Sequence, residues 1–142
     1  MAISTGSIVH DVTLTLRSII GSAITATGSC YTAYPQRTVN YPFCVLEVNR
    51  GPTETLGAYN QARTIPLRAM VTVYTKDSLT MDAMSDKIYD QLRQMQLNTG
   101  SGTIGSSLYD FQLIDEHRED AFGREGVHKK IQTYEYKFIA VP

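Results

Sequence analysis

YPFCVLEVNR at residues 41–50 opens the part of the chain that decides the fold, and PLRAMVTVYT at 66–75 and MDAMSDKIYDQLRQM at 81–95 complete it. Residues 43–48 are apolar at all positions but one, which predicts a strand partly covered on both faces. Residues 67–74 alternate, which predicts a long strand with one drier and one wetter face. An apolar stripe at helical spacing follows, formed by Met81, Met84, Ile88, Leu92 and Met95. Strands followed by an amphipathic helix indicate an α+β fold.

A further helix is expected near the N-terminus, after a cap at Ser4 or Ser7. Its apolar face would contain Ile8, Val12, Leu16 and Ile19/Ile20. Residues 12–16 also alternate as a strand would, but the helical stripe is longer and favours the helix. Gly21 is expected to end it. The second helix is expected over 79–95, with Ser78 or Thr80 as its cap.

Seven further segments complete the expected topology. Short or glycine-rich polar stretches are expected to be loops, and Pro66 should lie at a strand start or bulge because it lacks an N–H. The expected elements are a short strand at 30–34, a turn at 35–40, loops at 49–61 and 98–107, a strand at 108–114, a charged loop or long hairpin tip at 115–130, and a last strand at 130–141. The predicted fold is a mainly antiparallel sheet of four to five strands, with two helices packed on one face.

Length and composition bound the possible functions. The chain has 142 residues, so one domain over 1–142 is expected, with 42% hydrophobic and 19% charged residues that favour a globular protein over disorder. A formal net charge of -1 provides no strong field to attract nucleic acid or an anionic membrane. The N-terminus lacks the basic residues of a signal peptide, and no run could span a bilayer. We expect a soluble protein made in a cytoplasm.

Two cysteines, Cys30 and Cys44, fall on expected strands or strand edges. In a reducing compartment they are interpreted as small apolar core residues. A disulfide would require Cα atoms within about 7 Å, which a sequence does not reveal. Two isolated cysteines lack the spacing of a metal site.

No catalytic signature is present in the sequence. GSGTIG at 100–105 has the letters of a dinucleotide fingerprint, but it follows a helix and precedes a strand, so a flexible loop is the better interpretation. The charge run 115–120, with His117 inside it and His128 beyond, could supply metal ligands, but its spacing fits a solvated loop or an interface. His10-Asp11 has no nucleophile nearby in sequence. We therefore predict no enzyme, cofactor or metal site; a metal-dependent enzyme at 115–128 is a competing hypothesis.

Two surface patterns point to partners rather than to chemistry. Asp82, Asp86 and Asp90 recur four apart on the second helix, where like charges destabilise a helix by about 0.2–0.5 kcal/mol per pair. They form either an ordinary solvated face or an acidic surface that meets a basic partner or repels DNA. The chain also has nine tyrosines and no tryptophan. Tyrosine is enriched at protein interfaces, which fits an assembly protein.

The pattern of elements resembles the tail terminator, or tail completion, proteins of long-tailed bacteriophages, the family similar to minor tail protein U. The resemblance rests on YPFCVLE at 41–47, LRAMVTVY at 67–74, MDAMSDKIYDQL at 81–92 and the glycine-led ending GVHKKIQTYEYKF at 126–138. It extends over most of the chain from residue 8 to residue 141. These motifs are patterns of order and spacing rather than catalytic strings.

The resemblance implies a structural virion protein of the phage neck or tail, assembled in the host cytoplasm. Such proteins form a homo-oligomeric ring, commonly a hexamer, that caps the tail tube and ends its polymerisation. The ring also meets the head connector or stopper protein, and genomic DNA passes through its lumen without sequence recognition. The resemblance implies no catalytic residues, no cofactor and no membrane partner.

Partner contacts are expected on loops, since rigid sheets present their binding residues there. The two expected contact segments are the loop 49–61 and the tip 115–128. The expected interface residues are Arg50, Glu54, Tyr59, Arg63, Glu119, Asp120, Arg124 and Glu125. Two other functions stay open from the residues alone: a stopper-like neck adaptor, and a small nucleic-acid-binding module, since Arg50, Arg63 and Arg68 flank Tyr59.

Overall fold

The computed structural model describes residues 7–24, 29–35, 40–52, 54–56, 62–97, 108–122 and 127–140. Within these ranges the chain forms two helices and six strands. In chain order they are α1 (Ile8–Ala23), β1 (Ser29–Tyr31), β2 (Phe43–Arg50), β3 (Glu54–Leu56), β4 (Ala62–Thr75), α2 (Ser78–Leu97), β5 (Leu108–Phe122) and β6 (Val127–Ala140). The expected order of helices and strands is confirmed, with β3 added to it.

The strands form one mixed sheet in the order β1-β2-β4-β6-β5, and β3 pairs with the beginning of β4. Every pairing is antiparallel except β1 with β2, which is parallel. The α+β class is therefore confirmed. The expected count of four to five strands omits β3, because three residues are too few to show an alternation.

Both helices pack on one face of the sheet, as predicted. The α1 helix contacts β1 and β2, whereas α2 contacts β4, β5 and β6. One continuous cluster buries the apolar stripes of both helices against alternate residues of three strands. It includes Val12, Leu16 and Ile20 of α1, Met84, Ile88 and Leu92 of α2, Leu46 of β2, Leu67 and Val71 of β4, and Tyr134 and Tyr136 of β6. The alternation of apolar and polar residues along these strands thus determines which face of the sheet is buried.

The helix boundaries differ from expectation for local reasons. The α1 helix passes through Gly21 and ends at Ala23, so the predicted stop at Gly21 is wrong. Its cap position is Ser7, one of the two expected residues, but the Ser7 hydroxyl donates a hydrogen bond to Asp11 Oδ2 at 2.9 Å and caps no backbone N–H. The cap of α2 is Asp77, not Ser78 or Thr80: its carboxylate accepts hydrogen bonds from the backbone N–H and the hydroxyl of Thr80, at 3.2 and 2.9 Å. These hydrogen bonds hold the pKa of Asp77 below its usual value.

Pro66 lies inside β4 rather than at its start. Its carbonyl accepts a hydrogen bond of 2.8 Å from the N–H of Gly51, just past the end of β2. The missing N–H of Pro66 faces the same side, where the partner of β4 changes from β2 to β3. The proline therefore costs no hydrogen bond to β6, which explains how a central strand holds it.

Two expected loops contain strand. Asn49 and Arg50 belong to β2 and residues 54–56 form β3, so the predicted loop at 49–61 is wrong at those positions. The stretch expected as a charged loop or tip at 115–130 is mostly the long β5–β6 hairpin, in which Glu119 pairs with Lys129 and Glu116 with Gln132. Opposite charges on neighbouring strands make this highly charged sequence compatible with a ladder. The expected loop at 98–107 and the turn residues 36–39 lie outside the described residues.

Alanine substitutions should distinguish Gly21, which has space for a side chain, from Gly51, which closely approaches Pro66. Gly21 lies within α1 and an added Cβ would meet nothing within 4 Å, whereas a Cβ on Gly51 would lie 2.9 Å from Pro66 Cγ. We expect Gly21→Ala to stabilise the protein by about 0.5–1 kcal/mol, because alanine favours helix. Gly51→Ala should destabilise it by about 1 kcal/mol or more through overpacking. Chemical denaturation of both variants checks this, and a stabilising Gly51→Ala would contradict the close approach.

A second matched pair tests the tyrosines in the core. Tyr134 Oη donates a 2.8 Å hydrogen bond to Gln132 Oε1, whereas the buried Tyr136 Oη meets no hydrogen-bonding partner among the described residues. Tyr136→Phe should therefore leave stability unchanged or raise it by about 1 kcal/mol. Tyr134→Phe should lower it by about 1 kcal/mol, since Gln132 loses its donor. Thermal unfolding measures both; equal losses would contradict the assignment.

Candidate interaction surfaces

The sheet face opposite the helices is the largest candidate surface. In the part of the chain that the structure describes, no helix or second sheet packs on this outer face. The register places Glu119, Lys129, Tyr74 and Phe43 side by side across four strands at one end, and Gln112, Glu135, Arg68 and Asn49 side by side near the other. Between these rows lies Met70, 39% exposed. The outer face therefore combines apolar and charged groups, as interface surfaces do.

An aromatic cluster occupies one end of the outer face. It consists of Tyr31, Tyr34, Tyr41, Phe43 and Tyr74. Phe43 is fully buried at its centre and stacks on Tyr74 with 5.0 Å between ring centroids. Tyr34 packs edge-on against both rings and is still 55% exposed. Burial and the neighbouring Tyr34, Glu119 and Tyr41 raise the pKa of Tyr74. The cluster exposes hydroxyl-bearing aromatic rings, which is typical of contact surfaces.

Charged groups surround this aromatic end. The Nζ of Lys76 lies 5.3 Å from the ring centroid of Tyr41, within cation–π range. Between Tyr41, Lys76 and Thr80 lies an open cleft of about 190 Å³. Glu119 lies 3.9 Å from Lys129 Nζ and 3.5 Å from His117 Nε2. The predicted interface residues Glu119 and Asp120 thus lie on β5 at this end of the sheet.

Arg50, Glu54 and Arg63 lie on three strands at the opposite end of the sheet. Arg50 is exposed at the end of β2, and the register of β3 with β4 places Glu54 opposite Thr64, next to Arg63. A cleft of about 240 Å³ lies beside them on the outer face, lined by Gly51, Pro52, Thr64, Pro66, Arg68, Glu135 and Lys137. Arg68 within it pairs with Glu135 at 3.3 Å. This cleft is therefore lined by side chains of both charges.

The predicted interface residues therefore form two groups rather than one. Arg63 and Tyr74 are at opposite ends of β4, and an antiparallel strand rises about 3.4 Å per residue, so the two ends lie about 35 Å apart. Arg50, Glu54 and Arg63 mark one end, and Glu119 and Asp120 mark the other. Tyr59, Arg124 and Glu125 lie outside the described residues. The expected interface residues that the structure describes thus lie in two separate regions of the sheet.

The acidic stripe of α2 is partly neutralised within the fold. Lys130 Nζ of β6 lies 3.3 Å from Asp82 Oδ1 and 2.7 Å from Glu116 Oε1. Arg118 adds a longer contact of 3.8 Å to Asp82. Burial lowers the pKa of Lys130, but hydrogen bonds and attraction from Glu116 and Asp82 raise it more, so the net shift is upward. Asp82 therefore joins α2 to the sheet rather than presenting a free charge.

Asp86 and Asp90 differ from Asp82. Asp90 accepts hydrogen bonds from Arg93, at 3.2 Å, and from Gln94, at 2.8 Å, both on α2 itself. Asp86 is exposed and forms no ion pair with any residue that the structure describes. The acidic surface available to a partner is thus centred on Asp86, and it is narrower than the three-residue stripe that the sequence predicts.

The described residues show no arrangement for metal chemistry. Among them, no group of three or more His, Cys, Asp or Glu side chains is placed to hold a metal ion. His117 and His10 each contact one carboxylate, Glu119 and Asp11 respectively. No helix within the described ranges is long and apolar enough to cross a membrane.

The aromatic cluster is the surface feature that sequence reasoning missed. Its members come from four separate places between residues 31 and 74, so only the sheet register brings them together. Only one part of the cluster could be predicted: the alternation of residues 67–74 places Tyr74 on the more solvent-exposed face of its strand. The parallel β1–β2 pairing places Tyr31 in the cluster. No sequence pattern predicts this pairing, because β1 is only three residues long.

Comparison with known proteins gives a likeness in structure only. No protein-family model matches the sequence, and no curated protein matches it. A chain from the solved structure described as "Virion of native gene transfer agent (GTA) particle" is similar, with a TM-score of 0.54 and 12% sequence identity. The alignment covers 88% of this chain and 84% of that chain. The described fold is therefore shared, along nearly its full length, with a chain found in a virion.

Proposed function

We propose that this chain is a structural virion protein of a phage-like particle, acting in the neck or tail. The observation that carries the proposal is the two-ended sheet, which presents Arg50, Glu54 and Arg63 at one end and Glu119 with the aromatic cluster at the other. A subunit that joins two partners needs two such regions held at a fixed separation. The structural likeness to a chain of a gene transfer agent virion supports a virion role.

Within that role, the finer proposal is a tail terminator. Copies of the chain close a homo-oligomeric ring, with a hexamer favoured, that caps the tail tube and stops further addition. One end of each sheet meets the last ring of the tail tube protein, and the other end meets the head connector or stopper protein. Closure of a ring satisfies the complementary surfaces of all its copies, so growth ends there.

The charge distribution fits a ring through which DNA passes without sequence-specific binding. The formal net charge is -1, and Arg68 is paired with Glu135 instead of being available to phosphate. Asp86, with Asp90 beside it, offers a small acidic surface to a basic neighbour or to the lumen, where it would repel DNA. The proposed role is steric and interfacial, without an enzymatic step or a cofactor. A stopper-like neck adaptor would use the same two ends, with different partners.

Assembly of the purified protein tests this proposal. We expect closed rings in negative-stain images, either of the protein alone or at the ends of tail tubes, and an oligomeric mass by light scattering. Added protein should also stop tube elongation in vitro. A strict monomer that never binds tube ends would contradict the terminator role, and binding only to the connector would favour the stopper-like adaptor.

Charge reversal tests the end marked by Arg50. Arg50→Glu should weaken ring formation or tube binding by about tenfold, the equivalent of about 1.4 kcal/mol, because a reversed charge at an interface repels its partner. Arg17→Glu is the matched control, since Arg17 is also exposed but lies on α1 near Cys30, away from the Arg50 end. Sedimentation with tubes measures both variants. Equal effects of the two reversals would contradict the assignment of this end.

A further inference from the structure

Cys30 and Cys44 are direct neighbours across the parallel β1–β2 pair. The register places Cys30 opposite Cys44, and both thiols are free. Adjacent strands lie about 4.7–4.9 Å apart, and a disulfide requires Cα atoms about 4.4–6.8 Å apart. Since β1 is an edge strand of three residues paired on one side only, it can shift by the small amount that a disulfide bond needs. The backbone geometry therefore permits a bond that the sequence alone does not reveal.

The two sulfur atoms differ in reactivity. Cys44 is 0% exposed within the core, whereas Cys30 is partly exposed at the sheet edge. The Cys44 thiol donates a hydrogen bond to the Cys30 sulfur, which lowers the pKa of Cys30; burial acts against this, and the Arg17 guanidinium adds to it. The same hydrogen bond, together with burial, raises the pKa of Cys44. Cys30 is thus the reachable nucleophile and Cys44 the buried second thiol.

We propose that Cys30 and Cys44 form a reversible intramolecular disulfide that fastens the edge strand β1 to β2. The oxidant is a low-molecular-weight disulfide, of which glutathione disulfide is the probe. The two cysteines adjoin the aromatic end of the sheet through Tyr31, but their oxidation does not depend on the terminator role.

The reaction balances as two successive exchanges. The Cys30 thiolate attacks one sulfur of the oxidant, forming a mixed disulfide and releasing one thiolate. Cys44 then loses its proton to solvent and attacks the Cys30 sulfur, which expels the second thiolate. In total the two cysteines lose two electrons and two protons, and the oxidant becomes two thiols. In the mixed disulfide Cys30 carries no negative charge, so it no longer disfavours the thiolate form of Cys44 by repulsion.

The disulfide would act on the aromatic end of the outer face. Tyr31 follows Cys30 directly, and its ring packs against Phe43 with centroids 5.9 Å apart. Within the described residues β1 pairs with no strand other than β2. Fastening β1 therefore also fixes Tyr31 against Phe43, and it removes conformational freedom from the unfolded chain.

Oxidation of the folded full chain tests the proposal. With glutathione disulfide at about pH 8, where thiols begin to ionise, we expect the intact mass to fall by two hydrogen atoms. Free thiols should fall from two to none, a Cys30–Cys44 peptide should appear in the digest, and the oxidised protein should melt at a higher temperature. A chelator excludes metal-catalysed oxidation, and protein unfolded in denaturant confirms that the reagent is active.

Two single variants provide the sharper test. Cys44→Ser should stop at a stable glutathione adduct on Cys30, because no second thiol resolves it. Cys30→Ser should react at least about tenfold more slowly, since Cys44 becomes accessible only when the protein opens. Circular dichroism establishes that both variants are folded. Equal adduct formation in both variants, disulfide-linked dimers of the wild type, or no reaction of folded wild type would each overturn the proposal.

Discussion

Strand β4 is the constraint on which the rest of the structure depends. It pairs with β2 and β3 on one side and with β6 on the other, along nearly its whole length. Its alternation directs Leu67, Ala69, Val71 and Val73 into the core cluster that also contains the apolar residues of both helices. A shift of one residue would expose this set and bury Arg68 and Met70 instead. Burial on one face therefore fixes the register of β4 against β2 and β6.

The same strand determines what the molecule can present to partners. Because β4 and β6 are 14 residues long, the two ends of the sheet lie about 35 Å apart, and the described residues at these ends do not share one site. They form two groups, one charged and one aromatic with charged neighbours. In the described part of the chain, both helices pack on the inner face. The register places Arg50 and Arg63 at positions of that same face, whereas Phe43, Tyr74 and Glu119 belong to the outer face. Such an arrangement suits a spacer between partners better than it suits a catalytic pocket.

Periodic segments could be predicted from the sequence, and short or charged ones could not. The stripes of α1 and α2 and the alternation of β4 are long enough to show their period, and the structure confirms them. Strands β1 and β3 have three residues each, which is too few to show a hydrophobic alternation. The parallel pairing of β1 with β2, and with it the Cys30–Cys44 contact, could therefore not be predicted from the sequence. The β5–β6 hairpin was not predicted because its sequence is highly charged. Residues such as Glu116 and Lys130 indicate a solvated loop unless their pairing across the two strands is known. Asp82 looked like surface charge for the same reason.

Hydrogen–deuterium exchange, compared between the free protein and the protein bound to tail tubes, tests the central claim most directly. A two-ended spacer predicts that tube binding slows exchange at one end of the sheet, either around Arg50, β3 and the start of β4, or around Glu119, Tyr74 and Phe43. Amides of α1 and α2 should exchange as before, because the helices lie on the inner face. Slower exchange confined to the helices, or at both ends equally with tubes alone, would contradict the account.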